Sequence, residues 1–115
     1  MARPPRTWSL ATSVEAVPGA TILSAHGRIG IRTARAFADA LAAAGAGPVV
    51  IDLTGVDYIS GPGLTALRDA ASVGSRRAVV CGLQEAVRIT LELAGLLDDL
   101  PAEHTRETAL ARLSG

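Results

Sequence analysis

The feature that most constrains the fold is residues 48–71, PVVIDLTGVDYISGPGLTALRDAA. It opens with a β-branched run, which is typical of a strand buried on both faces. Residues 54–57 are polar and predict a turn, with Asp52 at the end of the strand before it. After residues 60–63, apolar side chains recur at helical spacing from Leu64. This stretch therefore predicts a buried strand, a tight turn and a helix.

The start of that helix is marked by Ser60, Gly61, Pro62 and Gly63. Ser60 or Gly61 can cap it, and Pro62 is tolerated in the first turn because an N–H there has no intrahelical partner. A helix N-terminus carries free N–H groups and the positive end of the helix dipole. It therefore suits contact with a protein partner or a negative charge.

The rest of the chain also divides into strands and helices. The pattern predicts a strand over 7–14, with Trp8, Leu10 and Thr12 on one side, then a turn over 15–19 and a second strand over 20–26 that pairs with the first as a hairpin. A loop over 27–31 and a helix over 33–44 lead to the central stretch. After it, the pattern predicts a turn over 73–77, a buried strand over 78–82, a helix over 84–93, a weak strand near Leu100 and a last helix over 103–113. This order predicts an α/β fold with a mixed sheet.

The composition limits how the core is built and what the protein binds. One Phe, one Trp and one Tyr leave aliphatic side chains to fill the core. We expect these residues to be buried: Ile51, Leu53, Ile59, Leu64, Leu67, Val79, Val80, Val87 and Leu91. The 115 residues fit one domain, and a net charge of zero gives no support for nucleic-acid binding.

The ends, the apolar runs and the cysteine count point to a cytoplasmic protein. Residues 1–6 are basic but no apolar stretch follows, so we interpret them as a disordered N-terminus before a domain over 7–115. No apolar run reaches the roughly 20 residues that span a bilayer. The single Cys81 excludes an internal disulfide and suits a reducing compartment.

Three sequence features that could indicate a cofactor, catalytic or metal site are better explained otherwise. Residues 61–66 fit the dinucleotide pattern G-x-G-x-x-A, but Pro62 removes an N–H from the turn that would face a phosphate. Cys81 lies in an apolar run, which favours a structural thiol over a nucleophile. Neither His26 nor His104 has a Glu or Cys at ligand spacing, so we expect no metal site.

The two acidic residues of the central stretch and the paired arginines also have structural explanations. Asp52 and Asp57 could form an acid pair, yet no base or nucleophile accompanies them. Hydrogen bonding of the turn by Asp52 and Thr54 is the favoured interpretation. Arg76 and Arg77 are predicted to lie in a solvated turn. We expect no catalytic site and no cofactor.

The segment IDLTGVDYISGPGL resembles the signature of STAS domains, and in particular of bacterial anti-sigma factor antagonists. Agreement with the family pattern extends over Asp52, Leu53, Thr54, Val56, Tyr58, Ile59, Gly63 and Leu64. The segment from Val79 to Gly82, the helix after it and the step Leu93-Ala94-Gly95-Leu96 also resemble the second half of the family. The resemblance implies a STAS fold: a mixed sheet of four to five strands, an N-terminal hairpin and about four helices, mainly on one face.

Three positions depart from the family pattern. Ser60 stands where the family has Asp, Gly61 where it has the phosphorylated Ser, and Pro62 where it has a second Ser or Thr. In the loop over 27–31, Arg28 is present where the family has acidic residues. The usual phosphoserine switch therefore cannot operate at position 61, which leaves an unswitched antagonist, a switch at Ser60, or a scaffold role.

The resemblance also implies a function. Family members bind an anti-sigma factor that is a serine kinase of the histidine-kinase-like ATPase class, which predicts a regulatory protein-binding module and a monomer or weak dimer. The partner-binding residues implied are Arg28, Asp52, Thr54, Asp57, Tyr58, Ser60, Gly61, Pro62, Gly63 and Leu64. The alternative is the STAS subunit of a lipid-transport ATPase or a signalling assembly, which the neighbouring genes would distinguish.

Overall fold

The secondary-structure elements follow the expected order. A computed structural model describes residues 9–71 and 77–114. The elements are β1 (Leu10–Val17), β2 (Ala20–Ile29), α1 (Ala34–Ala43), β3 (Val49–Ile59), α2 (Gly61–Ala71), β4 (Ala78–Cys81), α3 (Glu85–Leu93), a 3₁₀ turn (Leu96–Asp98), β5 (Ala102–Glu103) and α4 (Arg106–Ser114).

The strands form one mixed sheet in the order β1-β2-β3-β4-β5. β1 pairs antiparallel with β2, and the other neighbours are parallel. This arrangement confirms the predicted mixed sheet with an N-terminal hairpin. Because β2 to β5 are parallel, their carboxyl ends meet at one end of the sheet, where the loops that follow them are neighbours.

The helices cover the two faces of the sheet unequally. α1, α2 and α3 pack on one face, around Phe37, Leu67 and Leu91, which are fully buried. α4 packs on the other face, where its two buried side chains meet four from the strands: Ala109 and Leu113 against Ile22, Val50, Val79 and Cys81. The helices therefore lie mainly on one face, as expected. The predicted core residues are all buried except Leu64, which is only partly buried against the larger core.

β3 is longer than predicted. It runs without interruption over Val49–Ile59, so the turn predicted at 54–57 is wrong, and Asp52 lies within the strand. β3 pairs with β4 only as far as Asp52, whereas it pairs with β2 over its whole length. Two register shifts after Asp52 each leave one extra residue on β3. The turn-forming residue types are thus accommodated as bulges, which keep the strand paired while bending it.

The first hairpin also differs from the prediction. β1 is an edge strand exposed on both faces from position 11 to 16, so the half-buried strand predicted there is wrong. It continues to Val17, and the chain reverses only at Pro18-Gly19, where Gly19 has φ +82°. This φ is unstrained only for glycine. The loop predicted over 27–31 is wrong for its first half, because β2 extends to Ile29.

The C-terminal elements are shifted by a few residues. The weak strand expected near Leu100 is β5, at Ala102–Glu103, so the last helix begins at Arg106 and not at residue 103. The predicted disordered segment 1–6, Trp8 and most of the predicted turn over 73–77 lie outside the described residues.

Candidate functional site

The N-terminus of α2 lies at the end of the sheet, where the sequence predicted it. β3 ends at Ile59, and Ser60 connects it to Gly61, the first residue of α2. The Ser60 amide donates to the carbonyl of Ile29 at 2.9 Å, and its own carbonyl accepts from Leu64 at 2.9 Å. The helix start is therefore held against the end of β2.

Two glycines at this helix start have different surroundings. A Cβ on Gly63 would lie 2.6 Å from Cγ2 of Ile29 and 2.8 Å from Cγ1 of Ile59, so Gly63 allows the helix to pack closely on the strands. Gly61 is exposed, has no positive φ, and a Cβ there would meet no atom within 4 Å. A larger residue at position 61 would therefore fit without displacing a neighbour.

The Ser60 hydroxyl does not cap α2. Its oxygen is buried and makes no hydrogen bond with any residue in the described parts of the chain. The predicted side-chain cap at Ser60 is therefore wrong, and the residue serves the helix through its main-chain carbonyl. A hydroxyl in this position is not presented to the surface.

The turn between β2 and α1 lies beside the start of α2 and is internally braced. The buried Thr33 hydroxyl donates to the Arg28 carbonyl at 2.7 Å and accepts from the Gly30 amide at 2.9 Å. Ile31, at the apex of this turn, is 79% exposed. A fixed turn thus presents a large apolar side chain to solvent.

Arg28 joins this turn to the end of β3. Its guanidinium carbon lies 4.7 Å from the ring centroid of Tyr58, and its Nε lies 4.0 Å from a carboxylate oxygen of Asp57. Cation–π contacts and exposed ion pairs each contribute up to about 1 kcal/mol, so these contacts orient the side chains more than they stabilise the fold. The arrangement gives Tyr58 a defined position on the surface.

Asp52 is an internal organising residue. It is 8% exposed, and one carboxylate oxygen accepts from both the amide of Thr54, at 2.9 Å, and its hydroxyl, at 2.5 Å. The other accepts from Nε of Arg106 at 2.6 Å. Burial raises the pKa of Asp52, but the hydrogen bonds from Thr54 and Arg106 outweigh burial and lower it. The carboxylate is therefore held ionised.

These contacts confirm that Asp52 and Thr54 hydrogen-bond each other, although within a bulged strand and not in a turn. They do not support an acid pair, since Asp57 is exposed and lies beside Arg28. Arg77 is exposed, as predicted, and its guanidinium also donates to the carbonyls of Leu113 and Arg112 at the end of α4.

Two residues of the Asp52 network were missed by the sequence analysis. Arg106 reaches Asp52 from α4 and also donates to the Ser24 hydroxyl at 2.6 Å. Arg106 is the first residue of α4, where a positive charge opposes the helix dipole. An arginine at that position was a signal that a carboxylate partner lies nearby, but the sequence did not say which one.

Cys81 is a structural thiol, as the sequence indicated. It is 1% exposed, and burial, together with the nearby Asp52 charge, raises its pKa to about 12. A thiol with this pKa is not a nucleophile at neutral pH. Within residues 9–71 and 77–114 there is no cluster of three or more His, Cys, Asp or Glu side chains suited to a metal ion.

The predicted partner-binding residues thus fall into three groups by exposure. Some are exposed on the second half of β3 and at the start of α2: Thr54, Asp57, Tyr58, Gly61 and Pro62. Asp52 and Gly63 are buried, while Arg28, Ser60 and Leu64 are partly buried. In the described part of the chain, no helix is both long enough and apolar enough to span a membrane.

Comparisons with solved structures agree with this architecture. The chain is similar to an anti-sigma factor antagonist from Mycobacterium paratuberculosis, with 28% identity and a TM-score of 0.85 over 99% of this chain and 100% of that one. It is similar to the Bacillus anti-sigma factor antagonist SpoIIAA in its unphosphorylated form, with 16% identity and a TM-score of 0.67 over 91% and 97% of the two chains.

A third similar structure comes from a transporter. The chain matches the murine anion transporter solute carrier 26 family member A9 with 14% identity and a TM-score of 0.72, over 84% of this chain and 18% of that one. Like the similarity to SpoIIAA, this shows the fold alone. No curated protein matches the chain. The family model for the STAS domain matches residues 11–109, which is most of the chain. The protein therefore belongs to the STAS domain family.

Proposed function

We propose that this protein is a cytoplasmic anti-sigma factor antagonist whose binding is not ended by phosphorylation. It sequesters an anti-sigma factor of the histidine-kinase-like ATPase class and acts by occupying that partner, not by catalysis. Family membership and the similarity to the mycobacterial antagonist at 28% identity support this proposal. The family's serine kinases are the partners that the resemblance implies.

The binding surface we propose consists of the exposed start of α2 and the adjacent turn between β2 and α1. It combines exposed apolar side chains, Ile31, Tyr58 and Pro62, with the positive end of a helix. An aromatic residue and rigid apolar neighbours are common at the centre of protein interfaces. Asp52 and Gly63 act here by holding the strand and the helix in place.

Gly61 is the residue that supports the absence of a phosphorylation switch. It occupies the family's phosphoacceptor position at the exposed helix start, yet it has no hydroxyl. The open space around it means that no packing constraint within the described residues requires a glycine there. The neighbouring Ser60 does not replace it, because its hydroxyl oxygen is buried and a kinase would have to open the β3–α2 connection to reach it.

The lack of a phosphoacceptor hydroxyl at position 61 has a direct consequence for regulation. A phosphate adds about 1.5 to 2 negative charges, which an interface packed without them does not tolerate. Without an acceptor at position 61, the protein keeps its affinity while the kinase consumes ATP. The fraction of partner that it occupies then depends on the concentrations of the two proteins and on their Kd.

Calorimetry with an anti-sigma kinase of the histidine-kinase-like ATPase class from the same organism tests the proposal. We expect the same Kd whether the mixture has been incubated with ATP and Mg²⁺ or with ADP and Mg²⁺. Gly61→Asp is the matched variant, because it places a negative charge in the same open space. We expect it to weaken binding at least tenfold, which corresponds to about 1.4 kcal/mol.

Two results would contradict the proposal. A Kd that rises tenfold after incubation with ATP would show that the protein is switched. Failure to bind the anti-sigma kinase, together with binding to a transporter ATPase encoded nearby, would replace the proposed function with the transporter alternative.

A further inference from the structure

Among the described residues, no strand pairs with the outer side of β1. β1 is the outer strand of the described sheet and pairs with β2 through eight consecutive residues without a register shift. Ser9, just before it, accepts a hydrogen bond from the Arg28 amide, which makes positions 9 and 28 a hydrogen-bonded pair. Such pairs alternate along an antiparallel ladder. The main-chain groups of positions 11, 13, 15 and 17 therefore face β2, whereas those of positions 10, 12, 14 and 16 point outward.

This edge lacks the features that usually protect an edge strand. Natural sheets protect an edge by making it short or by placing lysines, prolines and bulges along it. β1 has eight residues, LATSVEAV, with Glu15 as its one charged residue and with no proline. The opposite edge, β5, follows the rule, since it has only two residues. An unprotected edge of this length is a template for pairing with another strand.

We propose that this edge pairs antiparallel with β1 of a second copy, so that two sheets join into one across a two-fold axis at Ser13. In this register Ser13 lies opposite Ser13 of the other copy, and Thr12 opposite its Val14. Leu10 then lies opposite Ala16 of the other copy. All four outward positions thus acquire main-chain partners.

The same register suits the side chains. Thr12 and Val14 are β-branched, and such side chains pack well against each other across strands. Val14 is 45% exposed in the single chain and gains a neighbour on its own face of the sheet. Glu15 comes opposite Ala11 of the other copy. The two Glu15 carboxylates are then offset by four residues, or about 14 Å along the strand, so like charges do not meet.

This pairing does not involve the surface proposed to bind the partner protein. Ser13 pairs with Ser24, which in turn pairs with Asp52, so the two-fold axis lies level with the middle of the sheet. Gly61 lies beyond the far end of β3. The pairing therefore leaves the start of α2 free on both copies. A single pair of strands is a small interface, so we expect weak association that appears at high protein concentration.

Disulfide trapping tests the register. Cα atoms of a non-hydrogen-bonded pair lie about 4.5 Å apart, within the range that a disulfide spans. We expect Ser13→Cys to form a disulfide-linked dimer in a glutathione redox buffer. Ala11→Cys is the matched control on the same face, because the two cysteines at position 11 of the paired copies would lie about 14 Å apart. Cys81 does not interfere, since it is buried and burial raises its pKa to about 12.

Equal cross-linking of Ser13→Cys and Ala11→Cys would indicate random collision and overturn the proposal, as would faster cross-linking of Ala11→Cys. Sedimentation of the wild-type protein over a range of concentrations tests the association itself. We expect the average mass to rise towards that of a dimer, and Val14→Lys to abolish this rise. Ile89→Lys, which adds the same charge at a residue 41% exposed on α3, should leave it intact. A mass that stays monomeric at every concentration, or equal effects of the two lysine variants, would refute the pairing.

Discussion

Arg106 and Asp52 are 54 residues apart in the sequence, yet Arg106 Nε lies 2.6 Å from Asp52 Oδ2. The same guanidinium also donates to the Ser24 hydroxyl, so the first residue of α4 is tied to both β2 and β3. The pKa of Arg106 is raised, chiefly by its hydrogen bond to Asp52. This ion pair thus links the start of the last helix to the strands, in addition to the apolar packing of Ala109 and Leu113.

Asp52→Asn should destabilise the fold. The variant keeps the size of the side chain but removes the charge that Arg106 and Thr54 bind, and hydrogen bonds to charged groups contribute about 1.5–3 kcal/mol. We expect a loss of that order in the free energy of unfolding, measured in urea. Asp57→Asn is the control, because its carboxylate is 65% exposed and pairs only at 4.0 Å. Similar losses in the two variants would contradict the role assigned to Asp52.

The stabilisation from Asp52 should depend on pH. Because its pKa is lowered in the folded protein, its contribution is complete above the unfolded value, about 3.9, and is lost as the pH falls through the folded value. We expect the difference in unfolding free energy between wild type and Asp52→Asn to be constant from about pH 7 to pH 5 and to shrink at lower pH. If the difference in unfolding free energy between the two proteins grew as the pH was lowered below 4, the prediction would be contradicted.

Gly63 and Gly61 should respond differently to alanine, although only Pro62 separates them. At Gly63 the new Cβ meets Ile29 and Ile59 below 3 Å, and overpacking of this kind costs about 1–3 kcal/mol. At Gly61 it meets nothing within 4 Å, and loss of glycine freedom in the unfolded chain stabilises by about 0.4–1 kcal/mol. Thermal and urea unfolding of both variants checks this, and equal destabilisation would refute the packing described at the start of α2.

Leu67 and Leu64 offer a second matched pair. Leu67 is fully buried between the sheet and the helices, so Leu67→Ala should lower the unfolding free energy by about 2–5 kcal/mol. Leu64 was also expected in the core but is only partly buried, and Leu64→Ala should cost clearly less. Urea denaturation measures both. A loss below about 1 kcal/mol for Leu67→Ala would show that it is not a core residue.

The parts of the fold that the sequence predicted depend on local patterns. The β-branched run before Asp52, the break at residues 60–63 and the helical spacing after it are all short-range signals, and each element is found. The turn predicted within β3 is wrong, because the second half of β3 pairs with β2 alone and accommodates the turn-forming residues as bulges. β1 alternates as a half-buried strand does, yet no described helix covers enough of it to bury either face.

The candidate site was predicted only in part for the same reason. The residues around Gly61 are contiguous, so a local motif was enough to find them. Arg106 and Ser24 come from other elements, and their contact with Asp52 exists only in the folded chain. Burial of the Ser60 hydroxyl likewise depends on how the connection between β3 and α2 packs against its surroundings.

The most direct test of the central claim is the intact mass of the protein after incubation with an anti-sigma kinase from the same organism and ATP. The account predicts no added phosphate on the wild-type protein. Gly61→Ser/Pro62→Ser, which restores a hydroxyl in the open space at the start of α2, should gain one phosphate under the same conditions. One phosphate per wild-type molecule, absent from Ser60→Ala, would contradict the account and make Ser60 the regulatory residue.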